Sequence, residues 1–191
     1  MIPDSHSTHC TAFAGSKRIA SGDLRHVALA AKAVWDRDKW AQVLIFDEVT
    51  SNLIEVDFRG SPEDVGRRLA EEGEAPPRRP GRPKLGVVAR EVTLLPRHWD
   101  WLASQPGGAS VALRKLVEQA RLTNQGRDRR RRAQEAAYRF LSAMAGNEPG
   151  FEEATRALFA GKRERFDEMV EAWPEDVREH AKKLAAVAFA E

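Results

Sequence analysis

The sequence is poor in cysteine and lacks any long apolar stretch. Its single cysteine, Cys10, excludes an internal disulfide framework and points to a reducing compartment. No run approaches the roughly 18 apolar residues that a membrane-spanning helix needs. The opening residues, MIPDSHSTHC, have neither the basic start nor the apolar stretch of a secretory leader. We therefore expect a cytoplasmic protein without a membrane anchor.

The sequence also lacks any recognisable catalytic or metal-binding constellation. It has no nucleophile paired with a base, no carboxylate pair at useful spacing and no phosphate-binding loop. The segment HSTHC, residues 6–10, has two histidines and a thiol, but no matching ligand cluster follows downstream. We predict that the chain is not an enzyme and that it binds neither a metal nor a cofactor.

Charge is distributed very unevenly along the chain, although the formal net charge is only +2. Residues 1–77 have nine Lys and Arg against thirteen Asp and Glu, a net charge of −4. Residues 78–132 have fourteen against four, a net of +10, and residues 133–191 have eight against twelve, again −4. A basic block between two acidic ones favours a polyanionic partner. The alternative is that the three blocks neutralise one another within the fold.

The N-terminal region, residues 1–74, predicts a small ββαββα unit, with residues 1–10 disordered. TAFAGSKRIA is a candidate hairpin that turns at Gly15 and Ser16, and QVLIF is a candidate buried strand. The alternation in LIEVDF predicts a fourth strand. One helix should begin after Asp23 as N-cap, and a second should begin in SPEDVGRRLAEEG with Ser61 as its cap.

Residues 75–86 form a basic, proline-rich linker, because repeated prolines prevent both helix formation and sheet pairing. Its RPGRP segment resembles the core of an AT-hook, except that Pro80 precedes the glycine where that motif has an arginine. The resemblance implies that the linker enters the minor groove of AT-rich DNA or contacts phosphates. The alternative is a solvated tether. The candidate DNA-binding residues here are Arg78, Arg79, Gly81, Arg82 and Lys84.

The central region, residues 87–126, predicts one strand and two helices. One such set cannot bury its own apolar faces, so we expect two chains to pair their strands near Val92–Leu95 as a homodimer. The residues VTLLP (92–96), RHWDWL (97–102) and GGASVALRKLVEQA (107–120) together resemble the ribbon-helix-helix DNA-binding module. In such modules alternate strand residues face the major groove.

Two strand registers are open in this central region. The outward set is either Arg90, Val92 and Leu94, or Glu91, Thr93 and Leu95. The Gly-rich start of the second helix, with Ser110 as cap, predicts a phosphate site. Arg114 on that helix is a further candidate contact with DNA.

The C-terminal region, residues 127–191, predicts a helical bundle made of single amphipathic stripes. Arg129, Arg130, Arg131 and Arg132 should lie at the start of its first helix, where the helix dipole disfavours positive charge. A cationic run at that place suggests an anionic partner, and a solvated face paired with acidic segments is the alternative.

The chain as a whole resembles a family of uncharacterised bacterial proteins, domain-of-unknown-function family 2239, which implies no activity. The fold class that we predict is α+β, with the ββαββα unit, a ribbon-helix-helix-like dimer module and a C-terminal helical bundle. The predicted function is a homodimeric DNA-binding protein that serves in transcription regulation. The alternative is a non-enzymatic interaction or scaffold protein that uses the same dimer module without sequence-specific readout of DNA.

Overall fold

The computed structural model describes residues 9–73 and 88–190. The described part of the chain is mixed α+β and mostly helical, with three strands and seven helices. Its elements, in chain order, are β1 (His9–Ala14), β2 (Lys17–Asp23), α1 (Leu24–Arg37), β3 (Val43–Asp47), α2 (Pro62–Gly73), α3 (Pro96–Ala103), α4 (Gly108–Met144), α5 (Phe151–Phe159), α6 (Arg163–Met169) and α7 (Glu175–Phe189). No helix within these residues is both long and apolar enough to cross a bilayer.

The described residues divide into two compact units. Unit 1 comprises residues 9–73 and 128–190, and unit 2 comprises residues 88–127. The sequence predicts separate N-terminal and C-terminal regions, whereas residues of both regions belong to unit 1. The long helix α4 continues from one unit into the other without a break.

The predicted hairpin is confirmed at the start of unit 1. β1 pairs antiparallel with β2 and with β3, so the strand order in the sheet is β2-β1-β3. Gly15 makes the turn with a φ of 54°, in the left-handed region that glycine enters without steric cost. His9 and Cys10 belong to β1, so the expectation of disorder up to residue 10 is wrong for these two residues. Pairing of the central strand β1 with its neighbours fixes their backbone.

The helix caps of unit 1 also follow the sequence. Asp23 Oδ1 accepts a hydrogen bond of 3.0 Å from His26 N at the start of α1. At the start of α2, Ser61 and Asp64 form a reciprocal capping box, with Asp64 N 3.2 Å from Ser61 Oγ and Ser61 N 3.0 Å from Asp64 Oδ2. These bonds satisfy N–H groups that the first turn of a helix leaves free.

The predicted fourth strand, LIEVDF, is not formed, so the ββαββα layout is not confirmed. Within the described chain this segment makes a single bridge, between Leu53 and Phe46. At the end of the segment, the Arg68 guanidinium donates to the backbone oxygen of Asp57 and to that of Arg59, which follows the segment, both at 2.6 Å. A side chain therefore occupies acceptors that a strand ladder would use, and period-two alternation alone cannot foresee this competition.

The central strand β1 is buried on both sides of the sheet, and its alternate residues point to opposite sides. Cys10 and Ala12 pack with Val27 and Ala31 of α1 in one apolar cluster. Phe13 belongs to the other, larger cluster, which joins the sheet to α4–α7. Its large side chains are Phe46, Phe140, Leu141, Leu158, Phe166, Val170, Trp173, Val177 and Leu184. The helical C-terminal region thus forms half of the core of unit 1.

Unit 2 has very little core of its own. Residues 88–95 have no regular secondary structure, and α3 and the first part of α4 follow them. Among the large and small apolar side chains described for this unit, only Leu102 and Ala112 are buried. The predicted ribbon strand is not formed within the single chain, because a strand needs a neighbour to complete its hydrogen-bond ladder.

Candidate nucleic-acid interface

The linker candidates cannot be placed. Arg78, Arg79, Gly81, Arg82 and Lys84 lie outside the described residues. The AT-hook-like segment therefore stays a prediction from sequence, and the geometry of the candidate interface rests on residues 88 onward.

Unit 2 has an apolar groove between its N-terminal segment and its two helices. Its volume is about 280 Å³, and its lining residues are Leu94, His98, Trp101, Leu102, Leu113 and Leu116. α3 supplies His98, Trp101 and Leu102 at the i, i+3 and i+4 positions that share one helix face. Leu94 lies close to α3 because only Leu95 separates it from Pro96, the first residue of that helix. Leu95 is extended, with φ −67° and ψ 149°.

The groove distinguishes between the two registers that sequence left open. Leu94 lines the groove and is partly buried, whereas Val92 and Leu95 are about half exposed. If residues 88–95 pair as a strand, alternation places Arg90 and Val92 on the same side as Leu94. The outward set is then Glu91, Thr93 and Leu95. The arrangement is unfavourable for base readout, because a carboxylate repels phosphate and leucine offers no hydrogen bond.

Ser110 does not cap α4. The helix begins at Gly108, so Ser110 lies within its first turn, and its side chain is exposed. Gly107 and Gly108 have φ values of 86° and 73°, and a Cβ on Gly107 would lie 3.1 Å from Val111 Cβ. The two glycines therefore make the sharp entry into α4, and the cap that sequence assigned to Ser110 is wrong.

The predicted cations of unit 2 are available to a partner. Arg90 and Arg114 are exposed, and neither has an ion pair with another described residue. Arg121, which the sequence analysis did not single out, pairs with Glu118 on the same helix at 2.8 Å. Free guanidinium groups remain hydrated and can exchange water for phosphate oxygens.

The arginine run lies in the interior of α4, which corrects its predicted place at a helix start. Arg129 is more than five turns from Gly108, and the helix dipole acts only near the ends. The helix dipole therefore gives no reason to expect an anionic partner at this arginine run. All four arginines are exposed. Arg131 pairs with Asp128 at 3.3 Å, and Arg132 Nε donates to the backbone oxygen of Asp128. Arg129 and Arg130 have no ion pair within the described chain.

Acidic residues near the C-terminus do not neutralise these cations. In the described chain they pair with basic residues of unit 1 instead. The longest-range example is Asp176 with Lys17 at 3.8 Å, and others are Glu171 with Lys182 at 2.9 Å and Glu168 with Arg165 at 3.0 Å. Among the described residues, the positive charges of Arg114, Arg129 and Arg130 are therefore not offset by intramolecular ion pairs.

No group of three or more His, Cys, Asp or Glu in the described residues could hold a metal ion. Cys10 is buried, and its pKa is raised to about 11, mainly because burial disfavours the thiolate and also because Asp23, Asp47 and Glu48 are acidic neighbours. A thiol in that state is a poor nucleophile at neutral pH.

The groove residue His98 was not predicted from the sequence, although its spacing from Trp101 and Leu102 was the available signal.

These features define a mixed α+β protein, mostly helical, whose second unit leaves an apolar groove and free cations exposed. A family model described as "Uncharacterized protein conserved in bacteria (DUF2239)" matches residues 9–185, and the chain belongs to that family. Neither the curated proteins nor the solved structures gave a match. The ribbon-helix-helix and AT-hook resemblances have no counterpart in these comparisons.

Proposed function

We propose that the chain is a homodimeric DNA-binding protein of the kind that serves in transcription regulation. The observation that supports this most directly is on α4, where the exposed Arg114, Arg129 and Arg130 have no acidic partner among the described residues. Such cations attract a polyanion, and each phosphate that they neutralise releases bound counterions from DNA.

The homodimer is supported by the apolar surface of unit 2. Its exposed large apolar side chains include Val92, Leu95, Trp99, Trp101, Leu116 and Val117. Contiguous exposed apolar surface usually marks an interface, and Trp101 and Leu116 line the same groove. A second copy is the partner that fits best, since two antiparallel 88–95 segments would complete each other's hydrogen-bond ladder. A two-fold axis would then bring two identical apolar grooves together.

The scaffold function is the second candidate, and the register of the segment favours it. With Leu94 in the groove, the outward side chains are Glu91, Thr93 and Leu95. A dimer with these residues outward can bind DNA through its backbone phosphates but has few groups to read bases. In the scaffold alternative the dimer presents that surface to another protein.

Fluorescence anisotropy with a mixed-sequence duplex and an AT-rich duplex, across a salt series, tests the proposal. We expect binding whose affinity falls steeply with salt concentration. Arg82→Ala and Arg114→Ala should each weaken that binding. Arg156→Ala is the matched control, because Arg156 is ion-paired with Glu153 on α5. AT preference would assign the linker to the minor groove. Absence of binding at low salt would reject DNA and leave the scaffold function.

A further inference from the structure

We propose that unit 1 has a second binding site, between the turn after β3 and α4, for a small carboxylate with an apolar body. A cavity of about 450 Å³ opens there. Small-molecule sites typically enclose roughly 300–1,000 Å³. Phe46, Leu53 and Tyr138 provide its apolar and aromatic walls, and Ser51, Asn52 and Arg139 provide polar groups.

The turn that forms one side of the cavity is held rigidly. Asp47 Oδ1 accepts hydrogen bonds from Val49 N at 3.1 Å, Thr50 N at 2.7 Å and Thr50 Oγ1 at 2.6 Å. The backbone closes the turn from both ends, with Ser51 N 2.9 Å from Asp47 O and Asp47 N 2.9 Å from Asn52 O. The position of Ser51 is therefore set by its neighbours.

The conformation of Ser51 is energetically unfavourable in two respects. Its φ is 53°, and in the described chain it is the one residue other than glycine with a positive φ. Its side chain is buried, and its Oγ has no hydrogen-bond partner within the described residues. Glycine would adopt this backbone more easily and would leave no hydroxyl unsatisfied. Strained backbone and unpaired buried polar groups concentrate at binding sites.

Arg139 places a fixed cation at the same cavity. Its Nη1 donates to Thr50 O at 2.8 Å, which ties the guanidinium to the turn. Its nearest carboxylate is 4.0 Å away, between Nη2 and Glu135 Oε2, and about half of the side chain is exposed. An arginine whose position is already fixed loses little entropy when its remaining N–H groups bind a carboxylate in a bidentate manner.

The lining selects the class of ligand. Arg139 is the single cation among the residues that line the cavity, which suits a monoanion better than a doubly charged phosphate. The aromatic walls continue to the exposed pair of Tyr138 and Phe159, whose ring centroids are 5.7 Å apart. Because the Ser51 hydroxyl is buried in this conformation, a neighbouring side chain must move before a ligand can reach it. This site is independent of the proposed DNA interface.

Titration of the ¹⁵N-labelled full chain with benzoate, followed by ¹H–¹⁵N correlation NMR, tests the proposal. We expect saturable shifts confined to residues 47–53 and 138–143. Arg139→Gln and Ser51→Gly should each weaken binding at least tenfold, whereas Arg156→Gln should leave it unchanged. Ser51→Gly should keep or raise the melting temperature, which separates loss of binding from loss of folding.

Two further probes assign the ligand class. Benzyl alcohol retains the ring without the charge, and inorganic phosphate retains charge without the ring, so neither should compete with benzoate. The proposal is overturned if no saturable shift occurs up to about 10 mM benzoate. Equal binding of benzyl alcohol or phosphate, or unchanged binding by Arg139→Gln, would also overturn it.

Discussion

The imidazole ring of His180 lies against the ring of Phe140 inside unit 1, with 4.6 Å between the ring centroids. The ring of Phe13 approaches His180 to 5.5 Å, and His180 Nε2 has no hydrogen-bond partner in the described chain. Burial lowers the pKa of His180 to about 4; the charges of Lys183 and Arg18 act in the same direction, and Glu48 opposes them. His180 is therefore neutral in the folded protein at neutral pH.

This histidine should make stability fall in mild acid. A histidine of the unfolded chain titrates near pH 6.5, so below that pH the unfolded state binds a proton that the folded state excludes down to about pH 4. The stabilisation is complete above pH 6.5 and is lost as pH falls toward 4. By linkage, the loss between pH 7.5 and 5 is about 2 kcal/mol, and His180→Phe should remove it. Urea unfolding at the two pH values measures the difference.

Carboxylates also titrate between pH 7.5 and 5, so the change in unfolding free energy with pH must be compared between each variant and the parent chain. His26→Gln removes an exposed histidine of α1 and should keep the pH dependence of the parent chain. If His180→Phe has the same difference in unfolding free energy between the two pH values as the parent, the buried neutral histidine is not its source.

Charge in the apolar groove should dissociate the proposed dimer. Leu94→Glu and Leu116→Glu each place a carboxylate at a groove position, and burying an unpaired charge at an interface costs several kcal/mol, or on the order of a hundredfold or more in affinity. Leu122→Glu alters an exposed position of α4 outside the groove and should remain dimeric. Light scattering at micromolar concentration gives the mass. A monomeric parent chain at that concentration would contradict the dimer.

Arg129 and Arg130, which have no ion pair in the described chain, should contribute to the salt dependence of DNA binding. In Arg129→Ala/Arg130→Ala, the slope of log K against log[salt] should fall by about 2, since each phosphate contact contributes about 0.9. Arg156→Ala/Arg165→Ala removes two arginines that are paired with glutamates on α5 and α6, and should leave the slope unchanged. Equal slopes for both double variants would show that Arg129 and Arg130 do not contact phosphate.

Cys10 should be unreactive while unit 1 is folded. Its side chain is fully buried in β1, and burial raises its pKa to about 11, so the thiolate is scarce at pH 8. Labelling with a disulfide reagent should be at least about a hundredfold slower than in urea, where the thiol regains a pKa near 8.5. Cys10→Ser/Ser16→Cys moves the thiol to an exposed turn and should react at once. Fast labelling of the folded parent chain would show that β1 opens readily.

The sequence by itself determined the local structure that depends on near neighbours. Gly15 fixed the hairpin turn, Asp23 and Ser61 fixed the helix starts, and the breaks near Gly150 and Gly161 separated the last helices. In each case the decisive interaction spans only a few residues, so the pattern in the chain reports it directly. The single apolar stripes in the sequences of α5 and α7 also predicted correctly that each helix buries one of its faces.

Tertiary structure alone decided what those apolar faces contact. Period-two alternation in LIEVDF predicted a strand, but the Arg68 guanidinium donates to the backbone oxygen of Asp57 within that segment. The sequence predicted a helix start just before Arg129, yet α4 continues through Gly126, since one interior glycine costs a helix only about 1 kcal/mol.

The candidate sites followed the same division. Sequence supplied the cations, but not which of them remain unpaired, because pairing depends on residues far apart in the chain. It also gave no sign that Ser51 and Arg139 line one cavity, since 88 positions separate them and only the fold of unit 1 brings them together. Local chemistry is encoded by neighbours along the chain, whereas the partners of Phe13, His180 and Ser51 are set by packing between distant segments.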